Sequence, residues 1–150
     1  MASILESDDN YGPAEFGYAP QGIFRSWTGV SAPFGGYKIH LSCIPAEAQE
    51  IAQFVLSILR SMMAKHKVVK NLSEYKRQLN GMQRGKFITI YTKDHVQAQH
   101  VLINIDKKLV GHRSGPVPMA RDKNGNHTIP EIRVGVSGLL YTRWVNDFTL

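Results

Sequence analysis

The chain has 150 residues, 43% of them apolar and 20% charged, with a net charge of +6. That is the size and composition of one globular domain able to bury a core, and no apolar run approaches the roughly eighteen residues that span a bilayer. A single cysteine excludes an internal disulfide and fits a reducing compartment, so no membrane partner and a cytoplasmic location are expected.

Residues 1–22 hold Gly12, Pro13, Gly17, Pro20 and Gly22 among aromatics and read as a loop-rich leader, with residues 23–150 as the domain proper. The first 24 residues carry Glu6, Asp8, Asp9 and Glu15 and no lysine or arginine. They also lack the basic-then-apolar pattern of a signal peptide. After a turn region from Gly29 to Gly36, Tyr37–Ser42 (YKIHLS) reads as a strand. Side chains alternate faces along a strand, so Ile39, Leu41 and Cys43 take the core side and Lys38, His40 and Ser42 the other. An amine beside an imidazole suits an anionic substrate whose leaving group needs a proton. Spacing alone does not separate that reading from a polar strand face open to water.

A helix follows, with Pro45 near its start, Glu47 and Glu50 in its first turns, and a stripe of Ile51, Phe54, Val55, Ile58, Leu59, Met62 and Met63. Val68–Lys70 is a short extended piece, and 71–85 is polar and flexible in character. Between Lys65 and Lys86 seven lysines and arginines face only Glu74. Lys86–Thr92 (KFITIYT) is the second clear strand, with Phe87, Thr89, Tyr91 and Lys93 on one face and Lys86, Ile88 and Ile90 on the other. Asp94 can cap a second helix striped by Val101, Leu102, Ile105 and Leu109 and stopped at Gly111. The last third alternates turns with short strands at Val117–Ala120 and Glu131–Val136, joined through the turn at Asp122–Asn126. The whole predicts a single α+β domain: a twisted, largely antiparallel sheet, two main helices and a β-rich C-terminal third.

No phosphate loop, dinucleotide fingerprint, nucleophile elbow or metal-ligand spacing is present. What remains is a surplus of cations in strands and loops: Lys38, His40, Lys70, Arg84, Lys86, Lys93, Arg113, Arg121 and Arg133. Converging cations are costly unless an anion compensates them, and arginine forks suit phosphate. A lysine crowded by other cations can serve as a neutral base.

Lys38-Ile39-His40-Leu41-Ser42, Val69-Lys70-Asn71-Leu72, Gly85-Lys86-Phe87-Ile88-Thr89-Ile90-Tyr91 and Ala120-Arg121-Asp122 occur in the order seen in phosphothreonine/phosphoserine lyases. Over roughly residues 20–138 the chain resembles the N-terminal lyase domain of class III and IV lanthipeptide synthetases, with its W-K-I-H-V-S, F-K-F-L, G-K-F-I-T-V-Y, S-D-R and V-R-Y-G motifs. The bacterial effector lyases that inactivate host MAP kinases share part of the pattern. The resemblance implies a β-elimination, independent of metal or cofactor, that turns phosphoserine or phosphothreonine into dehydroalanine or dehydrobutyrine. It implies Lys70 as the base and His40 as the acid, with Lys38, Arg84, Tyr91, Lys93, Arg121 and Arg133 around the phosphate. Met119-Ala120 stands where the synthetases begin S-D-R, and Val134 replaces their tyrosine. The expected partners are a phosphorylated peptide and separate kinase and cyclase enzymes of lanthipeptide maturation, because the acidic first 24 residues lack the basic docking segment of the effectors. The alternatives are an effector-type lyase acting on a phosphorylated kinase and a non-catalytic phosphopeptide-binding module. Basic strands with Phe87 and Tyr91 also leave RNA binding as a weaker option, so no nucleic-acid partner is assigned.

Overall fold

The computed structural model describes residues 9–146 and 148, so Glu6 and Asp8 of the acidic leader lie outside the described residues. The strands are β1 (Tyr18–Gln21), β2 (Phe24–Trp27), β3 (Gly36–Leu41), β4 (Lys65–Val69), β5 (Ile88–Thr92), β6 (Met119–Arg121), β7 (His127–Pro130), β8 (Ile132–Val134) and β9 (Leu140–Val145). The helices are α1 (Pro45–Ser61), α2 (Leu72–Gln78) and α3 (His95–Leu109). Seven strands form one antiparallel sheet in the order β1-β2-β4-β5-β3-β9-β8, while β6 and β7 make a separate hairpin. The α+β class and the largely antiparallel sheet are as expected from the pattern.

The core sits between one face of that sheet and the helices. Ile39 and Leu41 of β3, Val68 of β4 and Ile88 and Ile90 of β5 meet Ile51, Val55 and Leu59 of α1 and Val101, Ile105 and Leu109 of α3. Helix α1 begins with a proline, whose fixed φ and missing N–H suit the first turn. The Asp94 carboxylate accepts from the Gln97 amide at 2.9 Å and caps α3. Met63, placed in the apolar stripe by spacing, lies beyond the end of α1 with a φ of 56° and is exposed.

Several elements differ from expectation: β2, β7 and β9 have no counterpart among the strands predicted from sequence, and the turn at Asp122–Asn126 joins β6 to β7, while β8 pairs with β9. The stretch read as a loop-rich leader supplies β1, an edge strand paired with β2, so residues 18–21 belong to the sheet. Helix α2 forms inside the segment read as flexible, nucleated by Asn71, whose side chain accepts from the Glu74 amide at 2.9 Å. Strand β4 starts at Lys65 rather than Val68, because His66 is buried as if it were apolar. Its ring stacks on Trp27 with 5.4 Å between centroids, its Nε2 meets the Tyr18 hydroxyl at 2.6 Å, and its Nδ1 donates to the Ala64 carbonyl at 2.8 Å.

No described helix is long and apolar enough to cross a membrane. Polar residues crowd the sheet face opposite the helices, under the β6–β7 hairpin. The hairpin turn is set by Asp122, whose carboxylate takes the Asn124 and Asn126 amides and the Thr128 hydroxyl. The body meets the hairpin through the Glu131 amide, which donates to Pro118 O, and through Ser42, which donates to Pro116 O at 2.6 Å.

Burial holds the His66 imidazole down at about 4. The unfolded chain therefore takes up a proton near pH 6.5 that the folded chain refuses until about 4, so the stability is complete above 6.5 and lost as pH falls through that window. The expected loss at pH 5 is roughly 2 kcal/mol for this residue. Urea unfolding at pH 7 and pH 5 checks it: His66→Gln should flatten the dependence, and an equal dependence in that variant would assign it elsewhere.

Candidate active site

Two rows of side chains cross the polar face of the sheet, set by strand register. Residues opposite one another in an antiparallel pair point to the same side. The first row runs Lys67, Thr89, His40, Tyr141 from β4 through β5 and β3 to β9. The second runs Lys65, Tyr91, Lys38, Arg143 across the same strands. The β6–β7 hairpin adds Arg121 and His127 from above. The rows and the hairpin enclose an open cavity of about 450 Å³.

Five cations line this cavity: Lys38, Lys67, Lys86, Arg121 and Arg143, with His40 and His127 beside them. No carboxylate is among its described lining residues. The nearest compensation is Glu131, fully buried behind it, which accepts from His40 Nδ1 at 2.7 Å and from Arg143 Nε at 3.0 Å. A carboxylate only accepts, so the bond fixes the proton on Nδ1 and leaves Nε2 as the unpaired nitrogen. Burial pushes His40 down to about 4, with the Glu131 hydrogen bond opposing and Lys86 and Lys38 adding to the shift. Burial alone would raise the Glu131 carboxyl, but the His40 hydrogen bond and the surrounding cations hold it below its ordinary value.

Burial lowers Lys38 to about 8, helped by the charges of Arg143, Lys67 and Lys86. Lys86 also falls to about 8, chiefly by burial. Lys67 is lowered by burial too, its amine lying 4.1 Å from the Phe24 ring centroid. Cys43 is buried in the core with its thiol pushed up to about 12, which removes it as a nucleophile.

Of the residues named from sequence, the structure brings Lys38, His40 and Arg121 into the cavity. Tyr91 stands beside it, its ring centroid 5.5 Å from Lys38 Nζ, and lines a smaller neighbouring cavity of about 310 Å³ together with the exposed Lys93. Arg84 donates to Gly81 O at 3.1 Å and is not in the lining, though its charge is one of four that act on His127. Arg133 is exposed on edge strand β8, outside the cavity, at the outer end of the row that holds Tyr141. Lys70 does not join His40. It lies just past the end of β4, half-buried, with its backbone N–H donating to Ile23 O, and is absent from the lining. Three residues earlier, Lys67 lies within β4 and faces the cavity.

Lys86 departs from the expected face as well. Strand β5 starts only at Ile88, so the two residues before it escape the alternation. Lys86 turns into the cavity while Phe87 enters the core against Tyr75, with 4.6 Å between ring centroids. Gly85 makes this possible with a φ of +77°, where an added Cβ would sit 2.4 Å from Pro116 O. Sequence reasoning missed Lys67, Thr89, His127, Glu131 and Arg143 as site residues. A signal existed for Arg143, since Leu140–Val145 (LYTRWV) is rich in β-formers.

The family described as RamC, N-terminal domain, matches residues 16–144. Among solved structures, the chain is similar to that of the phosphothreonine lyase SpvC, an effector protein from Salmonella. The TM-score is 0.51 and the identity 14%, over 92% of this chain and 76% of that one. The two share a fold. No curated protein matches by sequence.

With Lys38 and Lys86 losing their protons near 8 rather than above 10, the cavity's positive charge declines within an accessible range. Inorganic phosphate should bind several-fold more weakly at pH 9 than at pH 7.5, by calorimetry at fixed ionic strength. An affinity flat across that range would show both amines charged throughout.

Proposed function

The chain belongs to the RamC N-terminal domain family, and on that premise we propose that it is a phosphoserine/phosphothreonine lyase acting on a phosphorylated peptide. The observation that carries this reading is the gathering of five cations over an imidazole backed by a buried carboxylate. Such a cavity suits a phosphate dianion, and it has in its floor an imidazole that a bound dianion would charge. The fold shared with SpvC supports the same reading.

In this mechanism the base is Lys67, in place of the Lys70 that the motifs implied. Lys67 and His40 flank Thr89 on either side in the same row. Neighbouring strands lie about 4.8 Å apart, which leaves room for a Cα–Cβ–O unit between the two. The neutral Lys67 amine takes the α-proton, and the Cα–H electrons form the Cα=Cβ bond. The Cβ–O bond breaks, and phosphate leaves with that electron pair. His40 protonates the departing oxygen through Nε2. Bound phosphate, a dianion beside the ring, raises the imidazole toward its charged form, so the substrate prepares its own acid. Arg121, Arg143, Lys38 and Lys86 hold the phosphoryl oxygens as charge builds on them.

The motif resemblance to lanthipeptide synthetases supports a place in peptide maturation in the cytoplasm. A kinase would supply the phosphorylated residue, and a cyclase would consume the dehydro residue.

The test is a phosphothreonine or phosphoserine peptide followed by mass spectrometry: the peptide should lose phosphoric acid, whereas a phosphatase would leave the hydroxyl. Lys67→Ala and His40→Asn should each lower the rate about 10²–10⁴-fold, while Lys70→Ala stays near wild type. A rate unchanged in Lys67→Ala and lost in Lys70→Ala would reverse the assignment. Tight phosphopeptide binding with no mass change would make the protein a binding module.

A further inference from the structure

Two buried side-chain polar atoms make no hydrogen bond among the described residues, Thr89 Oγ1 and His127 Nδ1. Both residues line the same cavity, one in the sheet floor and one on the hairpin. Thr89 is 1% exposed and sits in β5, midway between Lys67 and His40. Neither neighbour bonds to it: His40 gives Nδ1 to Glu131, and the Lys67 amine lies over Phe24. A buried hydroxyl without a partner destabilises a fold. Valine would fill the same volume at the centre of a strand without that penalty. Folding therefore does not account for a hydroxyl at this position, whereas a ligand that brings an acceptor does.

We propose that Thr89 is a substrate contact whose hydroxyl donates to the departing phosphoryl oxygen beside the Nε2 of His40. The inference rests on the lyase reading above and adds a residue to it. The position fits the chemistry: negative charge grows on that oxygen as the Cβ–O bond breaks, so a donor fixed there acts more on the transition state than on the bound substrate. Being uncharged, the hydroxyl keeps this role at a pH where Lys38 and Lys86 have begun to lose their protons.

The experiment compares Thr89→Val and Thr89→Ser with wild type in thermal unfolding, phosphopeptide elimination and equilibrium binding of the same peptide. Thr89→Val should melt at the wild-type temperature or above it, while kcat falls about tenfold to a hundredfold and KM changes far less. Thr89→Ser, which keeps the donor, should eliminate within a few-fold of wild type. Wild-type kcat in Thr89→Val would overturn the contact and leave the lyase reading intact, assigning the hydroxyl to solvent. A large drop in melting temperature would overturn it as well, by showing a structural role. If wild type binds the peptide without eliminating phosphate, the lyase reading falls, and the contact stands only if Thr89→Val binds more weakly. A wild-type protein that neither binds nor eliminates ends both.

Discussion

The polar face of this protein depends on one buried carboxylate. Glu131 reaches His40 and Arg143 with its two oxygens, tying β3 and β9 to the segment that enters β8. Without it, an imidazole and a guanidinium would sit among lysines with no compensating charge. Buried like charges of that kind either lose their protons or push their strands apart. With it, one histidine nitrogen is fixed, the other is left for chemistry, and a guanidinium is aimed over the sheet. The carboxylate offsets part of the positive charge and leaves the remainder for a ligand.

On the proposed lyase reading, the same arrangement would let one face of a sheet hold both a proton acceptor and a proton donor. Burial lowers Lys38, Lys67 and Lys86, and each lysine lowers its neighbours further or adds to the local field. His40 is lowered for the same reason. The empty cavity thus makes its amines easier to deprotonate and keeps the imidazole neutral, while a phosphate dianion favours the charged forms of those nearest to it. On the proposed reading, the free and phosphate-loaded sites would therefore differ in protonation through electrostatics.

Much of this was legible in the sequence where the pattern was local. Lys38 and His40 stood out because Ile39, Leu41 and Cys43 alternate with them, and α1 and α3 because their stripes are long. Lys67 was obscured by His66, a polar letter in a core position, which broke the alternation that would have started β4 at Lys65. The motif resemblance pointed to Lys70, which lies beyond the end of β4 and outside the cavity lining. Arg143 and Glu131 join the site by pairing with β3 across about a hundred residues of chain, a relation that spacing does not report. Lys86 escaped because its face is set by a left-handed glycine before the strand and not by the strand itself. Helix α2 has seven residues, too few for a periodic stripe to declare itself.

The β6–β7 hairpin is built apart from the floor it covers. Its own turn is closed by Asp122, its two strands pair only with each other, and it meets the sheet at its base near Pro118. His40 and Lys67, the proposed proton-transfer pair, sit in strands paired on both edges, whereas Arg121 and His127 ride on a segment with its own internal scaffold. For the proposed lyase, selectivity for the residues around a phosphate could therefore drift by changes in the hairpin's length or composition, with the strands of the sheet left in register. A fold arranged this way can acquire new clients without reinventing its chemistry.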